Sequence, residues 1–184
     1  MFERVTVYVR DVEMFRPGYE AMIGREHPWG DFAVEPASSA NPATEGLHIA
    51  FGAPDRATIA ERWQSAVLAG FENDGEPGPR TVYSPGYHGG FVLDPAGNSV
   101  ESVHHERGCV DGKVDHLWLR VADIGEARER FAALADQGDF RLTRDDPGWV
   151  MFAANGSSVS LRRDGQPETK NVSIALTGGS VVDF

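Results

Sequence analysis

Three stretches of the chain superimpose on one another: RVTVYVRD from Arg4, HIAFGAPD from His48 and HLWLRVAD from His116. Each is a short run of β-forming residues that closes on an aspartate: Asp11, Asp55 and Asp123. A loose internal similarity of this kind signals a duplicated module rather than a solenoid. It limits the chain to folds that can pair equal units. Aspartate there is a good helix N-cap, because its carboxylate accepts the orphan N–H groups of a first turn. Helical spacing follows each one. The apolar positions are Val12, Phe15, Tyr19, Met22 and Ile23 in the first unit, Ile59, Trp63, Val67 and Leu68 in the second, and Ile124, Ala127, Phe131 and Leu134 in the third. Each gives one apolar stripe. Gly24, Gly70 and Gly138 mark the helix ends. Pro17-Gly18 inside the first helix predicts a kink or a break.

Strands follow the helices. In the second unit, residues 91–103 read as a hairpin turning at Asp94-Pro95-Ala96-Gly97. Residues 150–162 align with it without a gap, with Gly156 on Gly97. The first unit is shorter, and its last strand falls around Asp31–Glu35. A fourth unit begins at 172–180, with Ser173 on His48 and Ser180 on Asp55, and the sequence ends four residues later. The repeat is strand, helix, then two or three antiparallel strands, an α+β pattern. The polar, glycine-bearing stretch 108–113 reads as a linker. It divides residues 1–107, a domain of two units, from residues 114–184, a third unit with the first strand of a truncated fourth.

The 184 residues carry a formal net charge of −11 and a pI near 4.9, which argues against binding a phosphate backbone. No apolar run approaches the roughly 18–20 residues of a membrane span, and the N-terminus has no signal-peptide core. One cysteine, Cys109, excludes an internal disulfide framework and fits a reducing, cytoplasmic compartment. Cys109 has no base beside it in the sequence and reads as inert.

The repeat resembles the vicinal oxygen chelate superfamily, which includes glyoxalase I, bleomycin-resistance proteins, fosfomycin-resistance enzymes and extradiol dioxygenases. The stretches that carry the likeness are LHIAFGAPD (47–55), SPGYHGGFVLDPAGNSVESVHH (84–105) and VDHLWLRVAD (114–123). The resemblance implies repeated βαβββ modules paired into cupped mixed sheets, with the site inside the cup. It does not imply one reaction.

The resemblance also implies metal ligands on the first and last strands of paired modules. If units one and two pair, as connectivity favours, the candidates are Arg4, His48 and Glu101. A guanidinium cannot ligate a cation, so Arg4 would instead favour an anionic or carbonyl-bearing ligand. Tyr87, His88 and Glu35 are then candidate further donors. If units two and three pair, the facing positions are His48, Glu101, His116 and Ser160, two imidazoles and one carboxylate among them. Zn²⁺, Fe²⁺, Mn²⁺ and Ni²⁺ all suit such ligands. Tyr83, Tyr87 and His88 would line the mouth of the pocket. His104 and His105 read as solvated, and Trp63 as core.

Two functions follow. One is a metal-dependent lyase, isomerase or dioxygenase acting on a small molecule, with Glu101 as the catalytic carboxylate. The other is a metal-free protein that sequesters a small molecule, for which the arginine at the first ligand position argues. Under the first pairing the third unit would leave an open sheet edge, and such edges recruit partners. A homodimer is expected on that ground.

Overall fold

The computed structural model of the chain describes residues 1–184 except Arg107, Gln137 and Asn155. Arg107, at the expected boundary, is therefore outside the described residues. The first unit is β1 (Phe2–Val9), α1 (Val12–Ile23) and β2 (Phe32–Pro36). The second is β3 (His48–Gly52), α2 (Arg56–Leu68), β4 (Glu72–Pro79), β5 (His88–Leu93) and β6 (Ser99–His104). The third is β7 (Val114–Arg120), α3 (Ile124–Ala135), β8 (Arg141–Asp146), β9 (Trp149–Ala154) and β10 (Ser157–Arg162), and β11 (Val172–Leu176) and β12 (Ser180–Asp183) close the chain. The α+β class and the repeated strand–helix–strand units are as the sequence implies.

The three aspartates cap their helices. Asp11 accepts from the N–H groups of Glu13 and Met14, Asp55 from Thr58, and Asp123 from Glu126. Pro17 does not break α1, which runs through it. The glycine beside it has a packing reason. A Cβ on Gly18 would stand 2.2 Å from the Phe71 ring, so the ring packs directly on the helix backbone. The stripe of α2 is rotated from the expected one. Ile59, Arg62 and Ala66 are buried, while Leu68 is 82% exposed. The guanidinium of Arg62 donates to the Gly52 carbonyl at 2.9 Å and to Asp111 at 2.6 Å, which lets a charged residue face inward.

The strands form two sheets. One has the order β12-β11-β1-β2, the other β4-β5-β6-β3-β7-β10-β9-β8. At the centre of the larger sheet β3 runs antiparallel to β7. Units two and three therefore pair, across the expected linker, and the pairing of units one and two is not formed. The reason is strand supply. Unit one has two strands, and β11 pairs with β1 while β2 lies parallel on its other side. Ser180 begins no helix; it opens β12, a hairpin partner of β11. The inner edge of unit three is covered by β3, so the ground for expecting a dimer through that edge is gone.

Alternation sorts the central strands into two faces. Ile49, Phe51, Val100, Leu117, Leu119, Val159 and Leu161 join the main apolar core. The opposite face carries His48, Ala50, Glu101, His116, Trp118 and Ser160. Tyr19 ties the two sheets together: it packs on Phe32 and Phe71, and its hydroxyl donates to Asp94 at 2.9 Å.

Candidate metal centre

His48 opens β3, Glu101 lies mid-way along β6 and His116 mid-way along β7. Ala50 is the register partner of both Glu101 and His116, and its small side chain leaves room between them. The three side chains are all buried. His48 Nε2 stands 3.3 Å from His116 Nε2 and 3.2 Å from Glu101 Oε2, and His116 Nε2 stands 3.4 Å from that oxygen. A point equidistant from the corners of such a triangle is about 1.9 Å from each, within reach of metal–ligand bonds of roughly 2.0–2.2 Å.

The surroundings decide what these atoms present. Ser99 Oγ donates to Asp74 at 3.2 Å, so it accepts from His48 Nδ1 at 3.1 Å. Asp115 Oδ1 accepts from His116 Nδ1 at 2.9 Å and from His105 Nε2 at 3.0 Å. With Nδ1 carrying the proton in both rings, the neutral Nε2 atoms turn lone pairs inward. Tyr87 donates its hydroxyl to Glu101 Oε1 at 2.7 Å, and Glu101 Oε2 is buried without a hydrogen-bond partner among the described residues. With both rings neutral, three lone-pair atoms converge with no donor between them. A divalent cation fits that donor set.

Electrostatics treat the two imidazoles differently. Burial lowers the pKa of His48 and outweighs the opposing hydrogen bond to Glu101, so the ring favours its neutral form. Burial works against charge on His116 too, but the hydrogen bonds to Asp115 and Glu101 win and push it up to about 9. In the metal-free protein a proton on His116 balances the two carboxylates. Burial also opposes ionisation of Glu101 and Asp115, yet their imidazole partners hold both carboxyls below the usual range. Burial, then the Glu101 charge, drives the Tyr87 phenol far above its ordinary value, so it stays a donor.

Two cavities flank the three residues. One, of about 490 Å³, is lined by Tyr83, Tyr87, His116, Trp118, Trp149 and Met151 among others. The other, of about 310 Å³, reaches His48, Glu101, Arg80 and Arg120. Tyr83 and Trp118 border both. Ser160, the fourth facing position, accepts from Trp149 Nε1 at 3.0 Å.

Other expected residues lie elsewhere. Arg4 is exposed on β1 in the smaller sheet, far along the topology from this face, because unit one does not pair with unit two. Glu35 is exposed on β2 of the same sheet. His88 lies on β5 opposite His104 and lines neither cavity. His105 is not solvated: it is buried against Asp115. Cys109 is not isolated either, for its sulfur lies within 4.8 Å of ligand atoms of His105 and Asp115. Trp63 is partly buried, with its indole N–H on the Phe91 carbonyl at 3.1 Å. Asp115 itself escaped the sequence reading. Consecutive strand residues face opposite ways, so Asp115 should point away from His116. A register shift between Ala50 and Phe51 places a bulge there, and the bulge turns Asp115 toward its neighbour.

No family model matches the sequence, and no curated protein matches it. Solved structures do. Glyoxalase I from Zea mays superimposes with a TM-score of 0.63 at 20% identity, over 94% of this chain and 71% of that one. The V278E variant of glyoxalase I from Zea mays gives 0.59 at 19% identity over the same shares. A glyoxalase/bleomycin resistance protein from Albidiferax ferrireducens T118 gives 0.50 at 24% identity, covering 57% of this chain and 99% of that one. Among the described residues no helix is long and apolar enough to cross a membrane.

Proposed function

We propose, on the premise that the chain carries the vicinal oxygen chelate fold of these glyoxalase-type structures, that it holds one divalent metal ion on His48, Glu101 and His116 and acts on a small molecule in the adjoining cavities. The observation that carries this reading is the convergence of three buried lone-pair atoms, each aimed by a partner of its own. The metal, when bound, supplies a Lewis acid with positions left open for substrate oxygens. The chain's own groups do the rest. Asp115 and Ser99 keep the Nδ1 protons of the two imidazoles, Tyr87 holds the Glu101 carboxylate by its other oxygen, and Trp118 and Tyr83 form the wall shared by the two cavities.

Of the three reaction classes, the donor set favours oxygenase-type chemistry. Two neutral imidazoles and one carboxylate are the set of non-haem iron oxygenases. A lyase or isomerase needs a general base free to move a proton, and the carboxylates beside the centre are engaged. Asp115 is engaged by two imidazoles, Glu101 by Tyr87, and the fourth facing position is the neutral Ser160. The metal-free reading leaned on Arg4, which stands in the other sheet.

Calorimetric titration of metal-free protein with Mn²⁺, Fe²⁺, Zn²⁺ and Ni²⁺ tests the proposal. One equivalent should bind to the wild type, with at least a tenfold loss in His48→Ala and in His116→Ala. Absence of one-to-one binding by all four ions would refute it.

A further inference from the structure

Asp115, which aims His116, also meets two groups that the proposed centre does not use. One ligand atom each from His105, Cys109 and Asp115, an imidazole nitrogen, a sulfur and a carboxylate oxygen, lies within 4.8 Å of the other two. His105 follows the last residue of β6, Cys109 lies in the stretch expected as a linker, and Asp115 sits on β7 beside its bulge. None of the three is among the ligands of the first centre.

The loop that carries Cys109 is tied down on both sides. The Gly108 N–H donates to the His105 carbonyl at 2.9 Å, and Gly108 takes a φ of 82°, which glycine adopts without a Cβ clash. The chain thus folds back and returns Cys109 to His105. Further on, the Gly112 N–H donates to the Gly52 carbonyl at 2.8 Å, and the Gly52 N–H to the Lys113 carbonyl at 2.9 Å. A Cβ on Gly52 would stand 2.9 Å from the Cys109 Cβ, so the cysteine packs on bare backbone at the end of β3. His105 and Asp115 are buried and Cys109 is half-buried.

Imidazole, carboxylate and thiolate are the ligand types of zinc, and sulfur discriminates against Mg²⁺ and Ca²⁺. Both imidazoles reach the same oxygen of Asp115, His105 Nε2 at 3.0 Å and His116 Nδ1 at 2.9 Å. A cation between His105 and Asp115 takes the place of one proton and leaves the bond to His116 intact. Tetrahedral bonds of about 2.0–2.3 Å set ligand atoms roughly 3.3–3.6 Å apart, so the sulfur closes by about 1.2 Å at most. Three protein ligands leave a fourth position. Cys109 and Asp115 both line a third cavity, of about 770 Å³.

We infer that His105, Cys109 and Asp115 form a second metal site, for a thiophilic divalent cation of the zinc class, opening on this third cavity. The site goes beyond the first centre and does not rest on it. Its ligand atoms are more widely spread, so its ion binds more weakly than the one on His48, Glu101 and His116.

Cobalt is the probe, because a thiolate ligand gives Co²⁺ a sulfur-to-metal charge-transfer band in the near ultraviolet that nitrogen and oxygen ligands do not. Titration of metal-free protein with Co²⁺ should raise this band to an end point of one ion per chain, beyond the equivalent held by the first centre, and Zn²⁺ should bleach it by displacement. Cys109→Ser should abolish the band, and His105→Gln should weaken its Co²⁺ affinity at least tenfold. His48→Ala, which removes a ligand of the first centre alone, should keep the band at wild-type affinity. Zn²⁺ should also slow alkylation of wild-type Cys109 by iodoacetamide at least tenfold, since the thiolate is the nucleophile; this reading decides the matter if His105→Gln fails to fold. No band in the wild type, a band of wild-type affinity in folded His105→Gln, or an unchanged alkylation rate would overturn the inference. If the first centre alone fails, the band still develops and Mn²⁺, which avoids thiolate, finds no site. If this site alone fails, Mn²⁺ binds and no band develops.

Discussion

Gly89 offers a direct steric test of the candidate centre. Its backbone lies outside the left-handed region, so alanine there probes space and not strain. A Cβ on Gly89 would stand 2.3 Å from Glu101 Oε1 and 3.3 Å from its Cδ. Ordinary van der Waals contact begins at 3.4 Å, so Oε1 must retreat by roughly 1.1 Å. That movement breaks the 2.7 Å bond from Tyr87 and swings Oε2 away from the two imidazoles. Loss of a buried, charge-assisted hydrogen bond costs about 1.5–3 kcal/mol. At about 2–4 °C per kcal/mol for a chain of this size, Gly89→Ala should melt roughly 3–12 °C lower. Metal sites tolerate displacements of only about 0.2 Å, so affinity should fall by roughly 10–100-fold.

The assay pairs thermal unfolding with calorimetric titration of Mn²⁺. Shortening the carboxylate gives the control: Glu101→Asp withdraws the oxygen by one methylene and makes room for the new Cβ. The double variant should therefore bind metal better than the sum of the single losses allows, a coupling that only neighbouring groups produce. Unchanged metal affinity in Gly89→Ala, or strictly additive losses in the double variant, would refute the placement of Glu101.

Three further outcomes follow from the same geometry. Tyr87→Phe keeps the ring and removes the donor, so it should cost about 1–3 kcal/mol in urea unfolding and weaken metal binding by tenfold or more; full affinity in this variant would count against the aiming role of Tyr87. Because His116 is raised to about 9 in the folded protein against 6.5 unfolded, its charge stabilises the metal-free state fully below pH 6.5, and that stability is lost as pH rises through about 9. Metal binding must expel this proton, so affinity should climb with pH up to about 9, with about one proton released per ion near neutrality; calorimetry in buffers of different ionisation enthalpy measures it, and zero release would contradict the assignment. Leu68→Gln, at an exposed helix position, should leave the melting temperature within the small change of an ordinary surface substitution.

The repeats made much of this architecture legible. Short β-runs, capping aspartates and aligned hairpins are local signals, and the caps at Asp11, Asp55 and Asp123 stand where expected. Pairing of units is not local. It depends on how many strands each unit brings, and the shortness of unit one, visible in the sequence, was the sign that it could not complete a half-cup with unit two. His48 and Glu101 were readable from the aligned units. His116 entered only with the alternative pairing. The acid test of alternation worked for Glu101, which shares its face with Ser99 and Val103, but the rotated stripe of α2 shows its limit. Arg62 replaced Leu68 on the inner face because Asp111 and the Gly52 carbonyl, remote in sequence, satisfy its charge.

Asp115 shows why a site is harder to read than a fold. Strict alternation would send its carboxylate into the apolar layer with Leu117 and Leu119, where an unpaired charge costs several kcal/mol. The bulge opposite Ala50 and Phe51 avoids that burial and gives the residue two imidazole partners, His105 and His116. One irregularity in one strand pair thus supplies the group that fixes the tautomer of a candidate ligand. It also explains why His105 is buried although it follows the last residue of β6. A regular strand would place His116 on the correct face with its ring unaimed, since Ala50 and Trp118 offer no acceptor to Nδ1. The chemistry of the cup depends on the departure from the repeat as much as on the repeat itself.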